Sequence, residues 1–475
     1  METWIRGAFA LTALSFGIAA VACGSDTELT GFTGSADGVG GVATGGTGGA
    51  NAGGGGEAIV PPIECTSEPG DTAAHCQGLD PCPITVDRIV SCDGPVRDLF
   101  VLATPNDVLL GGVAEERQLR AWAVTQDDLE AMPGLPSLSY DNPSARVDLQ
   151  GTAHVLAQTL PAGERGTDYD ARLFRRDAGG FASVEVPNRK LRSFRVDPAG
   201  ELHFWGRSQG GEDQHHWGTP ASGYQVEPLV SPHDIANPLP DLAADGTPIA
   251  YAAADIASAF RLYVRVDDTN RELGADMGSG YDPFTPFGQA TPAPAAGASR
   301  YGAVLFREQG LTAAWAGTAG WGEVPIPETN PYDEPCSGAC PQDCTLDFRA
   351  VHRKNYVPAR ASSGALWLPH LITNVDARLR YEIDDNPSGC RVDTVSDDST
   401  YELVLSRVLL DGSPAQTMLR VPTITTTSFA AGSSSPALWA HAYADDLAIA
   451  LFLLSDDGLR LRVLRIDTTL LVPEL

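Results

Sequence analysis

The chain has 475 residues, with 61 Asp and Glu against 32 Lys and Arg and a net charge of -29. So acidic a surface repels phosphate backbones, which argues against nucleic acid as a partner and against direct adhesion to an anionic membrane. Fifty glycines, 35 prolines and 7% aromatics suit a turn-rich all-β chain better than a helical one, at a length beyond one ordinary core.

Residues 1–22 read as a targeting segment. Arg6 and the amino terminus give a weakly positive start, and residues 7–22 are apolar, too short to span a bilayer comfortably, and end in small residues. The stretch Ala20-Val21-Ala22-Cys23-Gly24 resembles a bacterial lipobox, with Ala20 where Leu is usual. Thirteen of the 27 residues from 31 to 57 are Gly, which cannot build a core. As a flexible coil, residues 24–60 reach roughly 35 Å. Lipobox cysteine, Gly-rich tether and acidic β-domain together are similar to the surface lipoproteins of Gram-negative bacteria with GC-rich genomes. That resemblance implies export, acylation at Cys23 and anchoring at the cell envelope, on the outer membrane or cell surface; it implies no activity. The expected organisation is a signal peptide at 1–22, a tether at 23–60, a Cys-rich lead-in at 61–83 and a β-domain at 84–475.

Nine cysteines are present. With Cys23 assigned to lipid, eight remain: Cys65, Cys76, Cys82, Cys92, Cys336, Cys340, Cys344 and Cys390. An even number in an exported protein predicts four disulfides, with 105 pairings open. The C-x3-C-x3-C run from Cys336 to Cys344 has thiolate donors for zinc, but zinc sites favour C-x2-C pairs, so disulfide bonding is the expectation.

From Asp87 the chain alternates short apolar strands with turns. Residues 99–103, 108–112 and 118–124 read as strands, and 126–132 as one helical turn. Residues 172–175 and 181–186 flank Asp177-Ala178-Gly179-Gly180, a hairpin signal. Residues 260–266 and 379–383 alternate with period two. Residues 401–410 turn at Asp411-Gly412 into 417–421. Residues 447–454 are eight apolar positions, turning through 455–458 into 459–463, whose arginines share one face.

A repeat underlies this pattern. Asp197-Pro198-Ala199-Gly200 separates an apolar strand end from the strong strand Leu202-His203-Phe204-Trp205. Asp148 to Gly151 does the same 49 residues earlier, and Gly246 marks a looser copy 46 residues later, with Ala243 in the Asp position. Gly310, Gly364 and Gly458 also follow polar turns and precede apolar strands. Hairpins repeating near 47 residues bury their faces by stacking as sheets in a ring. The expected fold is an all-β propeller of six to eight blades; tandem β-sandwiches and a β-solenoid are the alternatives. Closure of the ring is expected to bring residues 84–91 and 468–472 into one sheet beside 447–466.

The repeat is similar to that of β-propellers such as sialidases, but it is not their S-x-D-x-G-x-T-W box. Here Asp and Gly stand three apart and Trp205 is displaced, so that activity is not implied. No H-E-x-x-H or G-x-x-x-x-G-K motif occurs. The sequence calls for no cofactor. Acidic pairs such as Asp267-Asp268, Asp384-Asp385 and Asp445-Asp446 have calcium-type donors, but most stand at turns, where Asp bonds its own backbone.

Two long insertions carry the candidate ligand-binding residues. In 208–223 these are His215, His216 and Trp217, beside Glu212 and Asp213. In 276–299 they are Tyr281, Asp282 and Phe284, with Phe287. Adjacent His215 and His216 point opposite ways in an extended chain, so they do not readily share a metal. His154 and His203, at one repeat position, read as sheet-packing residues. Aromatic rings with nearby acids suit carbohydrate. The functional expectation is a lipid-anchored binding or scaffold module for polysaccharide or protein; a polysaccharide hydrolase or lyase is the alternative.

Overall fold

The computed structural model describes residues 63–72, 76, 80–114, 117–138, 143–159, 170–187, 190–208, 210–234, 238–256, 259–266, 269–277, 284–287, 301–307, 309–317, 320–329, 343–383, 390–397, 400–422, 438–453 and 459–473. Seven antiparallel sheets form the blades of a propeller. Blade one runs from Arg97–Ala103 to Leu129–Met132, blade two from Ser144–Val147 to Gly180–Val184, and blade three from Leu191–Val196 to Gly223–Pro228. Blade four runs from Leu239–Leu242 to Thr269–Met277, and blade five from Phe284–Phe287 to Gly320–Pro325. Blade six is built on Leu366–Ile383, a single 18-residue strand that includes the expected strand at 379–383. First strands of adjacent blades, such as Leu438–Tyr443, Arg97–Ala103, Ser144–Val147 and Leu191–Val196, lie against one another, so the first strand of each blade is innermost.

Blade seven, whose first strand is Leu438–Tyr443, closes the ring with both ends of the chain. Ile84–Cys92 pairs with Leu459–Asp467, which pairs with Asp446–Leu453. The expected partner at 468–472 is corrected: Thr468–Leu470 is a 3-10 turn capped by the Asp467 carboxylate. The stronger apolar run 459–467 takes the ladder, and Cys65–Pro69 adds a fifth strand outside Ile84–Cys92. Cys65 and Cys92 face each other in that register and are disulfide-bonded, as are Cys76 and Cys82. Cys23, Cys336 and Cys340 lie outside the described residues, as do the side chains of Cys344 and Cys390. The helical turn expected at 126–132 is also corrected. Leu129–Met132 is the edge strand of blade one, because pairing with Leu119–Val124 outweighs weak local propensity.

The repeat is a turn between the first and second strands. The Asp148 amide donates to Thr152 O at 2.9 Å and the Gly151 amide to Asp148 O at 3.0 Å. The same two bonds recur at 197–201, 243–247 and 361–365. Gly151, Gly200, Gly246 and Gly364 have φ of 80° to 86°, the left-handed region that glycine enters without a Cβ penalty. Gly310 does not belong to this set: it opens the third strand of blade five, across from Arg307. Gly458 lies outside the described residues.

Apolar clusters join most neighbouring blades. Leu109 and Val155 join one and two, Leu173 and Phe204 two and three, and Tyr251 and Leu305 four and five. Trp315 and Leu368 join five and six, Trp367 and Leu447 six and seven, and Leu461 and Trp122 seven and one. Each such side chain contributes roughly 1.5–3 kcal/mol on burial. None of these clusters spans blades three and four.

Candidate functional site

Blade three has two unlike faces. Phe194, Val196, Leu202 and Phe204 pack against blade two. Side chains alternate across a strand, so the residues between them face blade four. Cross-strand register puts Arg195 beside His203, His203 beside Trp217, and Trp205 beside His215. His215 in turn stands opposite Glu227. The face toward blade four is therefore a sheet of charged groups and nitrogen-bearing rings, where the clusters between other blades are aliphatic and aromatic.

The rings lie nearly parallel. Trp205 and His215 have centroids 5.4 Å apart at 16°, and His215 and Trp217 are 5.0 Å apart at 18°. A linear polar chain threads them. Asp197 Oδ2 lies 3.6 Å from His203 Nε2, His203 Nδ1 lies 3.0 Å from His215 Nε2, and His215 Nδ1 lies 3.0 Å from Glu227 Oε1. His203, Trp205 and His215 are buried and Trp217 is half-buried, while the Glu227 side chain is 51% exposed. The chain thus runs from the interior to the surface. Burial, helped by neighbouring His215, pulls the His203 imidazole down to about 4, against the pull of Asp197 and Glu201. Burial also lowers His215, with Glu227 opposing, and lowers His216. These three rings are neutral at pH 7.

Polar contacts stitch the inner end of the seam. Arg195 Nε donates to Asp241 Oδ1 of blade four at 2.7 Å. Arg146, Arg195 and Asp241 occupy one repeat position, two residues before the turn, on the innermost strands of blades two, three and four. Burial and the Arg195 guanidinium pull Arg146 down to about 9.

The sequence placed His215, His216 and Trp217 in a polar loop; the structure corrects this to the strand Asp213–Thr219, third in blade three. The loop is short, closed by the Ser208 amide bonding Glu212 O at 2.8 Å. Polar residues sustain the strand because its facing groups bond one another. His215 and His216 do point opposite ways, His216 opposite Phe204 and Val226. Phe284 is 4% exposed in the core between blades four and five, and Phe287 is 4% exposed in the core between blades five and six, so both rings pack in the interior. Tyr281 and Asp282 lie outside the described residues. Sequence reasoning missed the link from His203 to His215. Its signal was the Asp-x5-His spacing of Asp148/His154 and Asp197/His203, lost at both positions together in Ala243/Ile249.

No protein-family model matches the chain, and no curated protein matches it. Solved structures do. A polysaccharide lyase of family PL25, an ulvan lyase bound to -[GlcA(1-4)Rha3S]-, is 8% identical over 79% of this chain and 96% of its own, with a TM-score of 0.29. A triple arginine mutant of AofleA from Arthrobotrys oligospora is 8% identical over 71% and 92%, with a TM-score of 0.34. The WD40 domain of Toxoplasma gondii coronin is 9% identical over 87% and 90%, with a TM-score of 0.37. At such identities and scores nothing about substrate or partner transfers.

Proposed function

We propose that the protein is an exported, lipid-anchored β-propeller that binds carbohydrate at the outer end of the seam between blades three and four. The observation that carries this reading is Trp217. Its half-buried ring is held parallel to His215, and His215 is bonded to the exposed Glu227 carboxylate. A fixed aromatic face beside a carboxylate suits a sugar, whose C–H face stacks and whose hydroxyls donate. Preorganisation by His215 reduces the ordering cost of binding. The targeting segment, Cys23 and the Gly-rich tether support display at the cell envelope.

A second reading, a polysaccharide hydrolase or lyase, is favoured by the hydrogen-bonded chain from His203 through His215 to Glu227. Proton transfer to a substrate needs such hydrogen-bonded groups reaching the surface. Calorimetry of the full chain against envelope polysaccharides, with Trp217→Ala and Glu227→Gln, tests the first reading. Binding lost at least tenfold in Trp217→Ala supports it; binding unchanged in both variants refutes it. Release of shorter chains from the same polysaccharides selects the second. Cys23→Ser is expected to shift the protein from the membrane fraction to the soluble one.

A further inference from the structure

The buried end of the same chain is chemically incomplete. Glu227 Oε1 lies 3.0 Å from His215 Nδ1, so a proton sits between them and His215 Nδ1 donates. His215 Nε2 is then the acceptor for His203 Nδ1–H at 3.0 Å. This leaves His203 Nε2 as a bare lone pair. The residue is 4% exposed, that nitrogen has no hydrogen-bond partner, and it points at Asp197 Oδ2, beyond hydrogen-bond reach at 3.6 Å. Donor atoms of Asp197, Glu201 and His203 all lie within 4.8 Å of one another. Two carboxylates and a buried imidazole lone pair thus converge with no proton to share between His203 and Asp197.

The same turn elsewhere in the chain gives the comparison. In blade two His154 Nε2 bonds Asp148 Oδ2 directly at 2.9 Å, and Thr152 stands where blade three has Glu201. In blade four the three positions are Ala243, Thr247 and Ile249. The turn therefore needs neither Glu201 nor an open gap between Asp and His. Blade three has both.

We propose that Asp197, Glu201 and His203 bind one divalent transition-metal ion of the zinc class. Metal–ligand bonds of about 2.1 Å in tetrahedral array put donor atoms about 3.4 Å apart, close to the Asp197–His203 separation and too wide for a hydrogen bond. Imidazole with two carboxylates is a borderline donor set that selects zinc-type ions over calcium, which takes six or more oxygens. Asp197 Oδ1 accepts from the Ala199 and Glu201 amides, which fixes the carboxylate and leaves Oδ2 for the ion. The His215–Glu227 pair orients His203, as outer partners of metal-bound histidines do.

The test uses the full chain, stripped with chelator and titrated with Zn²⁺ and separately with Ca²⁺ by calorimetry. One-site Zn²⁺ binding is expected, weakened tenfold or more by Glu201→Thr and by Asp197→Asn. Glu201→Thr installs the residue that blades two and four carry, so its metal-free melting temperature is expected to match the parent. Asp197→Asn keeps the oxygen that caps the turn. The Co²⁺-loaded protein is expected to show d–d absorption with no thiolate charge-transfer band. Zn²⁺ binding unchanged in Glu201→Thr, a thiolate band, binding of Ca²⁺ alone, or no binding at all overturns the assignment. None of these readouts involves carbohydrate, so the proposed ligand can fail while the metal site stands.

Discussion

Asp87 and Arg462 form a buried ion pair between residues 375 positions apart, with side chains 0% and 1% exposed. Arg462 Nε donates to Asp87 Oδ1 at 3.0 Å and Nη2 to Oδ2 at 2.8 Å. The pair sits diagonally across the ladder between Ile84–Cys92 and Leu459–Asp467, the join that closes the ring. Thr72 Oγ1 donates a further bond to Asp87 Oδ2 at 3.1 Å. Such a pair is no guarantee of net stability against an apolar alternative, but breaking it strands a buried charge.

Asp87→Ala and Arg462→Met are each expected to cost about 3–5 kcal/mol in denaturant unfolding. The double variant Asp87→Leu/Arg462→Met is expected to recover much of that loss, because neither charge is then left alone. Single losses below about 1 kcal/mol would show that the ladder alone holds the ring.

Much of the ring was legible in the sequence, for a definite reason. The turn at Gly151, Gly200, Gly246 and Gly364 requires positive φ, so glycine marks it wherever it recurs. The same cue misled at Gly310, because a glycine after a polar pair also suits a hairpin between second and third strands. Closure was half legible. The two ends of the chain were expected to meet, but Arg460 and Arg462 read as one exposed face, and only a partner at Asp87 explains a buried arginine there. The candidate site was least legible. His203 and His215 meet through a cross-strand register that depends on 208–212 being a short turn. Histidine and tryptophan fit a strand pattern whether their nitrogens bond one another or only pack.

Gly200 and Gly151 make a matched pair of turn positions. At Gly200, φ is 86° and an added Cβ meets nothing within 4 Å. Gly200→Ala therefore carries only the left-handed backbone penalty, a loss of about 1 kcal/mol. At Gly151 the added Cβ falls 2.2 Å from Pro105 Cγ in the corresponding turn of blade one. Gly151→Ala is expected to lose a further 1–3 kcal/mol or so, as overpacking does. Thermal unfolding of the two variants side by side checks the order; equal losses would mean that Pro105 gives way freely.

Acid sensitivity should begin well above the carboxylate range, because of histidines held neutral. Burial pulls His370 down to about 4, with Arg420 adding to it and Leu368 O and Glu328 opposing. Its Nδ1 donates to Leu368 O at 3.1 Å, and the residue is fully enclosed in blade six. Burial and the Arg146 guanidinium pull His441, on the innermost strand of blade seven, down to about 3, while its Nδ1 accepts from the Ala103 amide. In the unfolded chain both rings titrate near 6.5, so below that pH the unfolded state takes up protons the folded state refuses. Stability is full above 6.5 and falls as pH drops toward 4, by up to roughly 1.4 kcal/mol per pH unit for each ring. Asp107 acts in a lower window. Burial raises its carboxyl, but bonds from Arg176 and Thr104 outweigh that and leave it lowered, so its contribution is lost only below the usual 3.8. Denaturant midpoints from pH 7.5 to 4 are expected to decline through this upper range. His370→Gln, which cannot titrate, is expected to flatten the slope by about one proton's worth. A slope unchanged by His370→Gln would mean that the folded protein accommodates the charged ring.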